Sequence, residues 1–168
     1  MRPVYRVRQL LTALTARVTA ADLAEADAHL PPDARRLFRR MPRDGQAHGL
    51  RVLRDLKRAG ETNPSLLSAA LLHDAGKSAA RINALHRSLY VALQRVAPGY
   101  LARLPAHDAR RPLVALRDHS QRGAVWARAA GCDELTVWLI EHHQAGDAAL
   151  PGERGRLLRA LQEMDARH

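Results

Sequence analysis

The chain has 168 residues, is 46% hydrophobic and 26% charged, and carries a formal net charge of +10. This fits one soluble globular domain with a sizeable core. No apolar run approaches the roughly 20 residues of a membrane helix, so no membrane association is expected, and the single cysteine, Cys132, excludes an internal disulfide framework and fits a reducing cytoplasm.

All but two of the 27 basic residues, Lys57 and Lys77, are arginines. They are scattered along helix surfaces, and no basic run or stacking motif marks a nucleic-acid partner. Leu, Ala and Arg dominate while β-branched and aromatic residues are few, which favours helix over sheet. The N-terminus, MRPVYRVRQLLTALTARVTA, has basic residues throughout and no continuous apolar block, which argues against a secretory signal.

In chain order, the pattern predicts helices over 4–18 and 22–29, the latter ended by Pro31 and Pro32. A short helix over 33–41 precedes Pro42. Asp44 is the expected N-cap of a helix over 45–59, with Gly60 as its stop. Asn63 followed by Pro64 is a start signal for a helix running to about Gly76. A helix over 82–96 is closed by Pro98-Gly99, one over 112–130 stops at Gly131, and Asp133 caps the next through His143. After QAGDAALPGE, a last helix spans 154–166. No repeat, low-complexity segment or long linker interrupts the series. The expected fold is an all-α, single-domain helical bundle over 43–168, with residues 1–42 as a short N-terminal helical extension.

The stretch SLLSAALLHDAGKSA, residues 65–79, poses a question. It ends an apolar helix with an imidazole, a carboxylate and an ammonium. Other metal-capable residues recur on successive predicted helices: His48, then His73 and Asp74, then His119, His142 and His143, then Asp165. The intervals match one helix plus one turn, and the longer one from Asp74 to His119 accommodates an additional helix. Antiparallel helices would therefore bring these groups together. Imidazole and carboxylate bind first-row divalent metals well, and one carboxylate can bridge two ions. Adjacent His73 and Asp74 can both point inward if the helix breaks there, and Gly76 is the expected hinge.

Each residue alone has a plainer reading. His48 could be a core histidine, His142 and His143 a polar helix C-terminus, and Asp165 a surface carboxylate. Asp44 could orient His48 from one turn away. His29, His86, His107 and His168 read as surface residues. Arg81, Arg87, Arg117 and Arg122 are candidate phosphate contacts with surface solvation as the default.

Taken together, His48, the segment ALLHDAGK and Asp165 resemble the HD-domain superfamily of metal-dependent phosphohydrolases. HSQRGAVWARAAGCDELTVWLIEHH, residues 119–143, is similar to the further histidines of its two-metal members. The resemblance covers about residues 41–166. It implies that His48, His73, Asp74 and Asp165 bind one metal, and that Asp74 bridges to a second held by His119, His142 and His143. Lys77 would contact a substrate phosphate. The Gly-Tyr-Pro signature of members that cleave cyclic di-GMP is missing from QAGDAALPGE. The expected activity is hydrolysis of a phosphoester of a small molecule, such as a nucleotide. Asp74 and Lys77 are its catalytic residues, with one or two divalent ions as cofactor. Several histidine ligands favour Mn, Fe, Co or Zn over Mg. The competing reading is a regulatory module that binds metal or nucleotide without turnover.

Overall fold

The computed structural model describes residues 17–105, 108, 111–146 and 150–168. The helix expected over 4–18 lies outside the described residues except for Arg17 and Val18, which are not helical, and His107 also lies outside them.

The described residues form helices and no strand. They are α1 (Ala20–Asp27), α2 (Pro32–Arg40), α3 (Arg43–Arg58), α4 (Pro64–Leu72), a 3-10 turn (Ala75–Ala79), α5 (Ala84–Val96), α6 (Pro98–Ala102), α7 (Pro112–Ala129), α8 (Glu134–His142) and α9 (Gly152–Ala166). Among the described residues, no helix is long and apolar enough to cross a membrane.

Local chemistry explains most boundaries. Thr19 and Asp22 form a reciprocal capping box that starts α1 earlier than the sequence pattern suggests. The Asn63 side chain accepts from the Leu66 N–H at 3.1 Å, with Pro64 at the first helical position. Asp133 accepts from Leu135 and Thr136, both at 3.0 Å, to start α8. Asp44 does not cap α3. Pro42 occupies the cap in an extended conformation, and Asp44 falls in the first turn, where its charge complements the helix dipole. The short helix α6 was not expected, because Pro98-Gly99 reads as a terminator; Pro98 instead begins it.

Helix α4 is the centre of the bundle. Every residue from Leu66 to Leu72 is buried, the sign of a helix enclosed on all sides. It packs between α3 and α8, with α9 across all three, and α7 packs on α8 and on the 3-10 turn. Leu50, Leu53, Leu56, Leu66, Leu71, Leu72, Leu139, Ile140, Leu157 and Leu161 fill the interior. Full burial of each such side chain is worth about 1.5–3 kcal/mol. Ala26, Leu30, Ala34, Phe38 and Met41 join the same core from α1, α2 and the segments that follow them. Polar contacts reinforce that docking: Arg54 donates to Glu25 at 2.7 and 2.9 Å, and Ser68 Oγ donates to the His29 carbonyl at 2.6 Å.

The break between α4 and the 3-10 turn positions the candidate site. His73 caps α4 in helical conformation, and Asp74 turns the chain with φ −96° and ψ 3°. The hinge is therefore Asp74 itself, two residues before Gly76. Gly76 has no positive φ; among the described residues only Gly60, Gly131 and Gly152 do. Gly76 serves close approach instead. A Cβ there would collide with the His119 carbonyl oxygen and lie 2.9 Å from the Gly123 nitrogen. The turn and α7 thus meet backbone to backbone, which brings Asp74 and His119 together.

Candidate metal centre

Four imidazoles converge where α3, α4, α7 and α8 meet. His73 and His119 are each 1% exposed and His143 4%. Three of them are held the same way. Nδ1 of His73 donates to the Ala70 carbonyl at 3.0 Å, that of His119 to Leu116 at 2.7 Å, and that of His143 to Ile140 at 2.7 Å. Each bond runs back three residues along the ring's own helix. It places a proton on Nδ1 and aims Nε2 into the centre, with a free lone pair wherever the ring is neutral.

Those Nε2 atoms then face one another. His48 Nε2 is 3.2 Å from His73 Nε2, and His119 Nε2 is 3.3 Å from His143 Nε2. For His119 and His143, with both Nδ1 atoms donating, the approach sets lone pair against lone pair. A cation between them turns this repulsion into ligation.

Carboxylates complete two groups. Asp74 Oδ1 lies 3.7 Å from His73 Nε2, 3.4 Å from His119 Nε2 and 3.9 Å from His143 Nε2. Asp165 Oδ1 lies 2.8 Å from His48 Nε2 and 3.4 Å from His73 Nε2. Donor atoms of His48, His73 and Asp74 all fall within 4.8 Å of one another, as do those of Asp74, His119 and His143. Ligands about 2.1 Å from an ion stand about 3.0 Å apart at the corners of an octahedron and about 3.4 Å apart in a tetrahedron. The observed separations are of that size. The donor set fits a divalent cation, and the two groups share the Asp74 carboxylate.

The second oxygen, Asp74 Oδ2, accepts from Lys77 Nζ at 2.7 Å. The Lys77 side chain is 26% exposed and that of Asp165 31%, so the cluster reaches solvent at these two residues. No family model, no curated protein and no solved structure matches the chain. What the site can do follows from its geometry and charge.

Burial opposes ionisation of Asp74, but Lys77, His73 and His119 hold its pKa well below the usual carboxylate range. The same contest, won by hydrogen bonds from His48 and His73, keeps Asp165 ionised. Burial disfavours a charge on His73, yet the Asp74 and Asp165 carboxylates outweigh it and raise its pKa. His143, desolvated and facing His73, is pushed down to about 3. Burial also lowers His48. The two carboxylates thus favour a proton on His73. A cation bound there would compete with that proton.

His142 stands apart from the other expected ligands. Its ring stacks on Trp138 with centroids 4.5 Å apart, and its Nδ1 donates to the Trp138 carbonyl at 2.8 Å. Neighbouring residues on a helix point about 100° apart, so only one of the pair can face the centre. His143 does, because it continues the buried row of Thr136, Leu139 and Ile140. Asp44 makes no contact with His48; its Oδ2 accepts from Arg87 at 2.9 Å. Arg117 is likewise committed, donating to the carbonyls of Leu101 and Leu104 and to Asp118, which ties α6 to α7. Arg81 is exposed.

His168 corrects a surface assignment. Its Nε2 bonds Asp55 Oδ2 at 2.7 Å, and its ring meets the His48 ring edge-on with centroids 6.3 Å apart. It packs edge-on against the candidate ligand His48. The sequence signal was faint: Asp55 lies on the His48 face of α3, two turns along. His86 is also employed, as part of the capping box that starts α5, and His29 is half-buried.

Proposed function

We propose that the protein is a metal-dependent phosphohydrolase of the HD-domain type, acting on a phosphoester of a small molecule such as a nucleotide. One observation carries this reading: two His/Asp groups share Asp74, whose Oδ1 faces His73, His119 and His143, while Lys77 holds Oδ2 of the same carboxylate at 2.7 Å. Divalent ions bound there would polarise phosphoryl oxygens and lower the pKa of a bound water.

The residues of the chain supply the rest. The backbone-anchored imidazoles fix ligand orientation before substrate arrives, so no reorganisation accompanies the reaction. Asp74, kept ionised by its neighbours, supplies the shared negative charge and can accept a proton from the attacking water. Lys77 sits where the cluster reaches solvent, and its ammonium offsets charge that develops on phosphoryl oxygens. In a chain that otherwise uses arginine, a compact ammonium suits that role. The core behind the imidazoles excludes water and lowers the local dielectric.

The test is turnover. Protein supplied with Mn²⁺ is expected to release phosphate or a nucleoside monophosphate from at least one member of a nucleotide panel, and Asp74→Ala to abolish release. Lys77→Met is expected to keep metal and lose rate. Undiminished turnover in Asp74→Ala overturns the mechanism. Metal content with saturable nucleotide binding and no product across the panel would favour a binding module instead.

A further inference from the structure

Each of the two metal groups contains one histidine borne on a long helix: His48 on α3 and His119 on α7. The sequence after both is alike, His48-Gly-Leu-Arg51 and His119-Ser-Gln-Arg122. Residues three apart on a helix are neighbours, with Cβ atoms about 5–6 Å apart. An arginine thus stands one turn from the helix-borne ligand on each flank of the centre.

Neither guanidinium is satisfied. Arg51 is half-buried and has no hydrogen bond or ion pair among the described residues. Burial lowers its pKa, and the acids whose field it feels, Asp44 and Asp55, are already engaged: Asp44 by Arg87, Asp55 by Arg58 and His168. Arg122 is half-buried too, and its Nη1 is sealed from solvent without a hydrogen-bond partner. The other half-buried arginines among the described residues are engaged: Arg35 with the Leu30 carbonyl, Arg54 with Asp22 and Glu25, Arg117 with Asp118. A half-buried guanidinium without a protein acceptor has donors left for an anion, and the chain has more bases than acids, 27 against 17. Two oxygens of a phosphate offer the bidentate acceptor that the planar guanidinium fits.

We propose that Arg51 and Arg122 are phosphate clamps on opposite flanks of the metal centre, and that the substrate carries more than one phosphate. This rests on the phosphohydrolase reading. It adds that the reacting phosphate lies on the metals while adjoining phosphate groups reach Arg51 or Arg122. A nucleoside di- or polyphosphate has that form; a simple phosphomonoester leaves both clamps unused.

Equilibrium dialysis of Mn²⁺-loaded protein with labelled orthophosphate and labelled pyrophosphate tests this, with metal content measured before and after. The expected result is a preference for pyrophosphate of about tenfold or more, and a similar loss in Arg51→Met or in Arg122→Met, whichever flank takes the second phosphate, at unchanged metal content. Should the Met variants fail to fold, Arg51→Lys and Arg122→Lys keep stem and charge but lose the bidentate fork, and weakened pyrophosphate binding in either supports the clamps. Full metal content with no preference for pyrophosphate overturns the clamps and leaves the hydrolase reading standing. Wild-type affinity in both Met variants, or in both Lys variants, does the same. Wild-type protein that takes up no metal overturns both.

Discussion

Replacing Gly76 by alanine tests how the bundle holds its two ligand groups in register. The added Cβ would strike the His119 carbonyl oxygen and lie 2.8 Å from the His119 carbonyl carbon and 2.9 Å from the Gly123 nitrogen. All three atoms are backbone of α7, so no side chain can swing aside. Restoring ordinary contact of about 3.4 Å or more requires the 3-10 turn and α7 to part by roughly 1 Å, a strain of the size that costs about 1–3 kcal/mol in a packed interior. A Gly→Ala change also narrows the unfolded ensemble, returning at most about 1 kcal/mol. The net expectation is a loss of about 2 kcal/mol, read as a lower urea midpoint at unchanged slope. The displacement also has a chemical consequence. Asp74 and Lys77 flank or ride on the turn and His119 rides on α7, so the 3.4 Å separation of Asp74 and His119 widens and affinity for metal in that group falls. Gly99→Ala is the control, since its Cβ would meet nothing within 4 Å; its midpoint is expected to stay within about 0.5 kcal/mol of wild type. A Gly76→Ala protein with wild-type midpoint and wild-type metal content would refute the close-approach argument.

Two further outcomes follow from the geometry. His143→Ala is expected to lower metal content, whereas His142→Ala leaves metal unchanged and alters only the environment of Trp138, seen in its fluorescence; equal metal loss in both would show that the stacking of His142 on Trp138 is not its role. Chelator-treated protein is expected to lose stability as pH falls below about 6.5. His143 titrates at 6.5 when unfolded and at about 3 when folded, so the unfolded chain binds the proton first and the stabilisation present above pH 6.5 drains away toward pH 3. By pH 5 the loss is about 2 kcal/mol. His48, also lowered, adds in the same direction. His73, which is raised, has its full stabilising contribution below pH 6.5, and Asp74 and Asp165 lose theirs only below the ordinary carboxylate range, so none of these reverses the slope. Urea midpoints that stay flat from pH 7 to 5 would contradict the buried, neutral state of His143.

Much of this was legible in the sequence because it is written in local rules. Asn63-Pro64 and Asp133 announce helix starts through side chains that bond their own helix. The run from Leu66 to Leu72 announces a helix buried on every side. The convergence of His48, His73, Asp74, His119, His143 and Asp165 was readable as a series, since helix-plus-turn spacing returns the chain to the same end of a bundle. What escaped the sequence depends on tertiary contact. Gly76 reads as a hinge, and only the nearness of α7 shows that it is a contact point. His142 and His143 are equivalent as neighbours in a string, and the buried row through Thr136 and Ile140 separates them. His168 and Arg51 gain meaning from what surrounds them on the His48 face of α3, and no local pattern marks either.

The central claim is that opposed Nε2 lone pairs and the shared Asp74 carboxylate exist to hold cations. Elemental analysis of protein purified without chelator tests it most directly, run beside Asp74→Asn, which keeps the shape but removes the charge. The account predicts one to two first-row divalent ions per chain in the wild type and a clear fall in the variant. A well-folded wild type that carries no metal, and takes up none from micromolar Mn²⁺ or Zn²⁺, would contradict it.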